Sequence, residues 1–128
     1  MNEPIELTEG EWAIMRVVWE SESCAAPTVQ EALQATRNWS YSTVRTLMDR
    51  MVTKGLLRTE KIRNLTLYRA AVTSGQAQRG EVSYALKNAF NGALTPMLHC
   101  LLENNDLDAG ALADLEKLIR EKRKKAKQ

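Results

Sequence analysis

The sequence predicts a mainly α-helical fold with one small β-hairpin, and three observations lead to this prediction. Apolar residues recur at helical spacing in three segments before residue 55 and in three more after residue 80. Between residues 57 and 72 the pattern changes to alternation among β-favouring residue types. Capping residues stand where most of the helical segments begin. The predicted order is therefore three helices, a hairpin and three further helices.

The first helix is predicted over residues 9–21. Thr8 and Glu11 form the Thr-x-x-Glu capping box, in which each side chain satisfies a backbone N–H that the helix leaves free. The apolar stripe that follows has the spacing i, i+3 and i+7 and consists of Trp12, Met15 and Trp19. A stripe of this kind is typical of a helix that packs on a hydrophobic core.

The second helix is predicted over residues 28–36, directly after Pro27. Thr28 and Glu31 form a second capping box at its start. Its apolar stripe is short and consists of Val29, Ala32 and Leu33. The polar stretch "TRNWS" after it indicates a turn.

The third helix is predicted between Ser40 and Gly55. Serine is a preferred N-cap, and glycine readily adopts the left-handed conformation that closes many helices. Between these two residues an apolar face recurs at helical spacing, at Val44, Leu47, Met48 and Met51.

A β-hairpin is predicted within residues 57–72. Alternating and β-favouring residue types stand on either side of Arg63 and Asn64, which indicate a turn. The hairpin would carry a basic tip formed by Lys61, Arg63 and Asn64.

Residues 73–80 are small and polar and form a candidate boundary between two domains, 1–73 and 74–128. The second domain is predicted to be all-helical, with a break near Gly92 and Asp108 as an N-cap. It is too small to bury its leucines alone, so we expect two copies to pair. The residues predicted to form this dimer are Leu94, Leu98, Leu101, Leu112, Leu115 and Ile119.

Charge is distributed unevenly along the chain, although the total is only +2. Residues 1–36 carry one basic and seven acidic residues, a net charge of −6. Residues 37–72 carry eight basic and two acidic residues, a net charge of +6. Such a block can be a solvated surface, but it is also the electrostatic footprint of a protein that binds a polyanion.

Other classes of protein are disfavoured by the composition. The two cysteines lie far apart and outside any ligand motif, so neither a disulfide framework nor a metal site is predicted, and no cofactor is expected. No signal peptide is evident, and no apolar run approaches the roughly 18 residues that cross a membrane. We therefore expect a cytoplasmic protein.

The third helix has an exposed face suited to the groove of a DNA duplex. On a wheel of residues 42–53, the stripe opposite the apolar face carries Ser42, Thr46, Asp49 and Thr53, with Arg45 and Arg50 on its two sides. Short hydroxyl side chains let the backbone approach the bases, and arginine can bind guanine or pair with phosphate. Asp49 would repel a phosphate unless it pairs with Arg45 or Arg50. The succession of helix, helix, turn, helix and hairpin predicts a winged helix-turn-helix, with Lys61 and Arg63 beside the DNA backbone.

The chain resembles the penicillinase-repressor family, the BlaI/MecI/CopY type of bacterial transcriptional repressors. The resemblance is carried by "LTEGEWAIMRVVW", "NWSYSTVRTLMDRMVTKGLL" and "LYRAAV" and covers nearly the whole chain. It implies a homodimer that binds a palindromic DNA operator and represses a resistance or stress-response gene. It also implies that Thr43, Arg45 and Thr46 contact the operator, while Ser42 stands where some members carry lysine.

The resemblance leaves the inducing signal open. Penicillinase repressors are cut at an Asn-Phe bond, and Cys100-Leu101 stands at the matching place in this chain. Copper-responsive members carry Cys-x-Cys motifs in a tail, whereas this chain ends in "KRKKAKQ". Neither signal is therefore indicated by the residues present.

Two further functions compete with the repressor hypothesis. A winged helix can serve only as a protein-interaction module, but such a module needs no block of +6 charge. An enzyme would have to use His99, the single histidine, beside Cys100. Adjacent helical residues point about 100° apart and cannot form a nucleophile-base pair directly, so we expect a partly buried packing histidine and no catalytic residue.

Overall fold

The computed structural model describes residues 5–127 and contains two compact units, Met1–Ala85 and Leu86–Gln128. The elements are mostly helices, with one small antiparallel sheet, as the sequence predicts. In chain order they are α1 (Glu9–Ser21), β1 (Ser23–Cys24), α2 (Ala26–Ala32), α3 (Gln34–Arg37), α4 (Tyr41–Lys54), β2 (Leu57–Ile62), β3 (Leu65–Ala70), α5 (Ser74–Phe90), α6 (Leu94–Asn104) and α7 (Ala109–Ala126).

Helix α1 begins and ends as predicted. The Thr8 hydroxyl accepts a hydrogen bond from the Glu11 N–H at 3.2 Å, and the Glu11 carboxylate accepts one from the Thr8 N–H at 2.9 Å. The capping box is therefore complete. Trp19 anchors the other end of the helix, because its indole N–H donates to the Val72 carbonyl at 2.9 Å.

The predicted second helix is wrong in its bounds. Helix α2 begins at Ala26, two residues earlier, with Pro27 in its first turn and Ala25 as an N-cap without a side-chain hydrogen bond. Proline fits there because the N–H it lacks would have no helical partner. The Thr28 capping box therefore does not form, and Leu33 separates α2 from the short helix α3.

The predicted hairpin is present, and a third strand joins it. Strands β2 and β3 pair from Leu57↔Ala70 to Ile62↔Leu65, with a turn at Arg63 and Asn64. The two-residue strand β1 adds to the other side of β3, giving the order β1-β3-β2. A strand this short has no alternating pattern by which the sequence could reveal it.

The core of the first unit lies between α1, α2, α4 and the sheet. The predicted buried face of α4 is confirmed for Val44, Met48 and Met51, whereas Leu47 is only partly buried. The largest fully buried side chains are Tyr68, Ile14, Met15, Met48, Met51, Leu57, Val18, Val29 and Val44. These contacts fix α4 against the sheet and leave its opposite face exposed.

An ion pair joins the first turn of α1 to the last turn of α4. The Lys54 ammonium donates to both carboxylate oxygens of Glu11, at 2.8 and 2.9 Å. Burial alone would raise the pKa of Glu11, but the hydrogen bonds from Lys54 and Thr8 lower it below its ordinary value. The pair therefore ties α4 to a residue 43 positions earlier in the chain.

The predicted polar boundary at 73–80 is helical. The Thr73 hydroxyl accepts from the Gln76 N–H at 3.1 Å, and the Gln76 side chain accepts from the Thr73 N–H at 2.8 Å. This Thr-x-x-Gln capping box begins α5 and is not among the caps predicted from the sequence. Ala77 and Gly80 of α5 are buried, so residues beyond 73 belong to the first compact unit.

Gly80→Ala should destabilise the first unit by about 1–3 kcal/mol, the usual cost of overpacking. A methyl group at Gly80 would overlap the backbone of Ile5, which cannot rotate away as a flexible side chain can. Urea unfolding at a fixed protein concentration measures the change. Gly75→Ala in the same helix is the control, because its nearest neighbour would lie 3.6 Å away, an ordinary contact. Equal stability of the two variants would contradict this account.

The second unit contains the end of α5 together with α6 and α7. The break near Gly92 is confirmed, with φ of 82° at this glycine, and the Asp108 carboxylate caps α7 by accepting from the Ala111 N–H at 2.7 Å. Neither α6 nor α7 contains a buried residue. Within residues 5–127, every helix is too short or too polar to span a lipid bilayer.

Candidate nucleic-acid interface

The start of α4 presents a cluster of hydroxyl groups. Ser40 is the N-cap, and its hydroxyl accepts from the Thr43 N–H at 3.2 Å. The Ser40 oxygen also lies 3.1 Å from the Ser42 hydroxyl and 3.0 Å from the Thr43 hydroxyl. A helix N-terminus carries partial positive charge, so this cluster can approach a phosphate or a base edge.

A shallow depression follows this cluster along the exposed face of α4. It measures about 260 Å³ and is lined by Ser42, Thr43, Thr46, Leu47 and Arg50. Four of the residues predicted to contact DNA are therefore brought together. Arg50 lies with the hydroxyl residues, and its side chain is exposed.

Arg45 does not line this depression and makes contacts within the protein. Its Nε donates to Asp49 Oδ2 at 3.3 Å, and its Nη1 donates to the Tyr41 hydroxyl at 3.3 Å. Its guanidinium carbon lies 6.0 Å from the centre of the Tyr68 ring. The Tyr41 hydrogen bond, with Tyr68 and Asp49 nearby, raises the pKa of Arg45, so the guanidinium stays charged.

Asp49 links this arginine to the sheet. The fully buried Tyr68 of β3 donates from its hydroxyl to Asp49 Oδ1 at 2.8 Å. Burial, and then this hydrogen bond, raise the pKa of Tyr68 to about 12, so the phenol remains a donor. The pairing of Asp49 with Arg45, one of the two partners considered from the sequence, is therefore present.

The tip of the hairpin carries its cations into solvent. Lys61 and Arg63 are both exposed, and Arg63 begins the turn with a left-handed φ of 59°. Farther down the hairpin, Glu60 and Arg69 form an ion pair across the strands at 3.4 Å. Lys61 and Arg63 take no part in that ion pair and are available to a polyanion.

Two residues that support this surface, the exposed Tyr41 and the buried Tyr68, are not among the site residues predicted from the sequence. Tyr41 occupies the first position of α4 and reaches Arg45 one helical turn later, a spacing that the sequence displays. Tyr68 was assigned to a strand, but its contact with Asp49 joins residues 19 apart and requires the three-dimensional fold. The spacing of a hydroxyl residue and an arginine at i and i+4 would have indicated the contact between Tyr41 and Arg45.

The second unit presents an apolar groove between α6 and α7. A cavity of about 620 Å³ is lined mainly by leucines and includes five of the six residues predicted for the dimer: Leu98, Leu101, Leu112, Leu115 and Ile119. The sixth residue, Leu94, is 56% exposed. A contiguous exposed apolar groove is consistent with a surface that another chain covers.

The expectation of a partly buried histidine is wrong for the single chain. His99 lies on the exposed side of α6, with 70% of its side chain accessible, and its Nδ1 lies 3.6 Å from a Glu103 oxygen. Cys100 is exposed too, and Asn104 donates to its carbonyl at 2.8 Å. Cys24, in contrast, is buried, and burial raises the pKa of its thiol. Within residues 5–127 no three histidine, cysteine or carboxylate side chains cluster as a metal site.

Sequence comparison finds relatives that span almost the whole chain. A family model described as Penicillinase repressor matches residues 7–121. The methicillin resistance regulatory protein MecI of Mammaliicoccus sciuri is 23% identical over 121 residues, which cover 94% of this chain and 98% of that protein. The penicillinase repressor of Bacillus licheniformis is 24% identical over 123 residues, which cover 96% of each chain.

Structural comparison finds DNA-binding proteins of similar fold. The solution structure of the DNA binding domain of the repressor BlaI aligns with a TM-score of 0.51 and 25% identity, over 59% of this chain and 93% of that domain. The Bacillus licheniformis BlaI monomer in complex with the blaP half-operator aligns with the same TM-score and identity. These matches agree with the winged-helix fold class predicted from the sequence.

Proposed function

Because this chain belongs to the penicillinase repressor family of DNA-binding transcriptional repressors, we propose that it binds a palindromic operator as a homodimer. Membership confirms the prediction of a repressor rather than an enzyme, and it disfavours a module that binds only proteins. The observation that supports the proposal most directly is the exposed hydroxyl and arginine face of α4, and the same unit carries an exposed basic hairpin tip.

In the proposed complex, α4 enters the major groove and the hairpin lies along the adjacent backbone. Thr43, Arg45 and Thr46 would contact bases, as the resemblance to the family implies, and arginine and threonine side chains can form hydrogen bonds with base edges. The remaining predicted contacts would be to phosphate, through Ser42, Arg50, Lys61 and Arg63. The complex of the BlaI monomer with the blaP half-operator supports DNA as the binding partner.

The proposed dimer rests on the apolar groove of the second unit. Leu98, Leu101 and Ile119 are 37%, 47% and 51% exposed in the single chain, although leucine and isoleucine are usually buried. A second copy would cover this surface and would place two α4 helices on one duplex. A palindromic operator follows from such symmetry, because each half-site meets an identical subunit.

The regulated gene and the site of action are also proposals. The names of the relatives, a methicillin resistance regulator and a penicillinase repressor, support control of a resistance or stress-response gene. A repressor must reach chromosomal DNA, so the proposed location is the cytoplasm. Sequencing the duplexes that the purified protein retains from a random library tests the proposed function. Recovery of a palindromic consensus is the expected result, and recovery of unrelated sequences would contradict it.

Arg45→Ala and Arg50→Ala should weaken DNA binding in different ways. Loss of a bidentate base contact should lower affinity for the selected operator about 10- to 100-fold, so Arg45→Ala should act mainly on that duplex. Arg50→Ala should lower affinity for operator and random duplex by similar factors, as loss of a phosphate contact does. Fluorescence anisotropy with both duplexes measures the two effects.

Arg16→Ala is the control for these variants, because it removes one exposed positive charge from α1 rather than from α4. It should change neither affinity appreciably. Equal loss of operator and random binding in Arg45→Ala would show that Arg45 does not read bases.

A further inference from the structure

We propose that Asp49 and Tyr68 are positioning residues that fix the guanidinium of Arg45 for base recognition. The proposal deepens the proposed function and rests on it. It assigns a role to a buried tyrosine of the hairpin and to an acidic residue that stands on an otherwise basic surface.

The contacts form one continuous chain from the core to the DNA-facing side of α4. The Tyr68 ring is fully buried, so its hydroxyl has a fixed position. That hydroxyl donates to Asp49 Oδ1 at 2.8 Å, and Asp49 Oδ2 accepts from Arg45 Nε at 3.3 Å. The Tyr41 hydroxyl holds Nη1 on the other side at 3.3 Å. A long side chain, free to rotate on most surfaces, is thereby held at two of its nitrogens.

The choice of the Arg45 nitrogen that donates to Asp49 determines how Arg45 can bind a base. A guanidinium has five N–H donors, and a pair of them meets O6 and N7 of guanine. With Nε engaged by Asp49, the pair that remains is formed by the two terminal nitrogens, because Nη1 gives only one hydrogen to Tyr41. The geometry therefore favours end-on recognition by Arg45.

The same chain of contacts explains why an aspartate is tolerated on this surface. A free carboxylate near a phosphate backbone weakens binding through repulsion between like charges. Asp49 is about half exposed, yet one oxygen contacts a cation and the other accepts from a phenol. The charge of Asp49 therefore interacts with Arg45. The same contacts restrict the rotamers of Arg45 in the free protein, so this side chain loses less entropy when it binds DNA.

Tyr68→Phe tests the proposal, because it removes one hydroxyl and keeps both the ring and the net charge. Anisotropy should show affinity for the selected operator lowered about 3- to 10-fold, in the lower part of the range of coupling within one hydrogen-bond network. Affinity for a random duplex should be unchanged. In the Arg45→Ala background, Tyr68→Phe should have no further effect on operator binding. If Tyr68 had only a structural role, the change would lower operator binding with or without Arg45.

Asp49→Ala is the second variant, and it should raise the affinity for random DNA while lowering the preference for the operator over random DNA. Removal of a negative charge should raise affinity for random DNA, whereas loss of the Nε contact should lower the preference for the operator. The Arg45 Nε–H signal in an NMR spectrum of the free protein should change in both variants.

Leu57→Val, a conservative change at a buried position of β2, controls for loss of core stability and should leave the preference unchanged. Full operator preference in Tyr68→Phe, or an equal effect of this change with and without Arg45, would overturn the inference alone. A wild-type protein that prefers no sequence would overturn the proposed function, and the inference with it.

Discussion

Leu98→Glu combined with Leu115→Glu should lower affinity for the full operator about 100- to 10,000-fold. This is the range by which the affinity of two linked binding sites exceeds the affinity of a single site. Both leucines line the apolar groove of the second unit. Two carboxylates there would have to be buried without partners if two copies paired, and this cost prevents pairing. Each monomer would then bind one half-site without help from its neighbour. Sedimentation and anisotropy on the full chain measure mass and affinity together.

Leu118→Glu is the matched control for this pair of changes. Leu118 is on the same helix as Leu115, is 61% exposed and does not line the groove. The control variant should keep both the dimer and its operator affinity intact. A dimer that survives the double change, with unaltered operator affinity, would contradict the proposed pairing surface.

Operator affinity should fall about 1,000-fold between 50 and 200 mM salt, the loss expected for roughly six phosphate contacts. Arg50, Lys61 and Arg63 are the proposed phosphate-binding cations of each subunit, and a dimer carries them twice. Each neutralised phosphate releases counterions and adds about −0.9 to the slope of log affinity against log salt. Titration at several salt concentrations measures this slope directly.

Lys61→Ala and Arg63→Ala should each make the slope less negative, by about 0.9 for every phosphate that is no longer neutralised. Lys117→Ala, which removes a cation of α7, should leave the slope unchanged and serves as the control. A salt response that is flat in the unchanged protein would exclude a binding mode based on phosphate neutralisation.

Much of the fold could be predicted because the signals that specify it are local. Thr8 and Glu11 lie three residues apart, and their reciprocal hydrogen bonds need nothing beyond one helical turn. The N-cap at Ser40 and the left-handed Gly55 likewise define α4 from its two ends. The hydroxyl and arginine face could be read by the same periodicity, since the opposite apolar face fixes which side is exposed.

Features that depend on tertiary structure could not be predicted in this way. The pairing of Glu11 with Lys54 and the bond from Tyr68 to Asp49 join residues far apart in the chain, and no periodic pattern encodes them. The small polar residues of 73–80 form a candidate boundary, but burial of Ala77 and Gly80 also requires small side chains there, and this burial depends on tertiary structure. His99 was expected to be partly buried, but no residue of α6 is buried in the single chain.

The strand order has a consequence for the order of events during synthesis on the ribosome. Strand β3 lies at the centre of the sheet although it is the last strand in the sequence, so the sheet cannot be completed before Ala70 has emerged. The contact between Ile5 and Gly80 can form once the next ten residues after Ala70 have emerged. The leucines proposed to pair begin at residue 94, which leaves the ribosome later. A nascent chain can therefore complete its DNA-binding unit first, and pairing then joins subunits that are already folded at the operator-binding end.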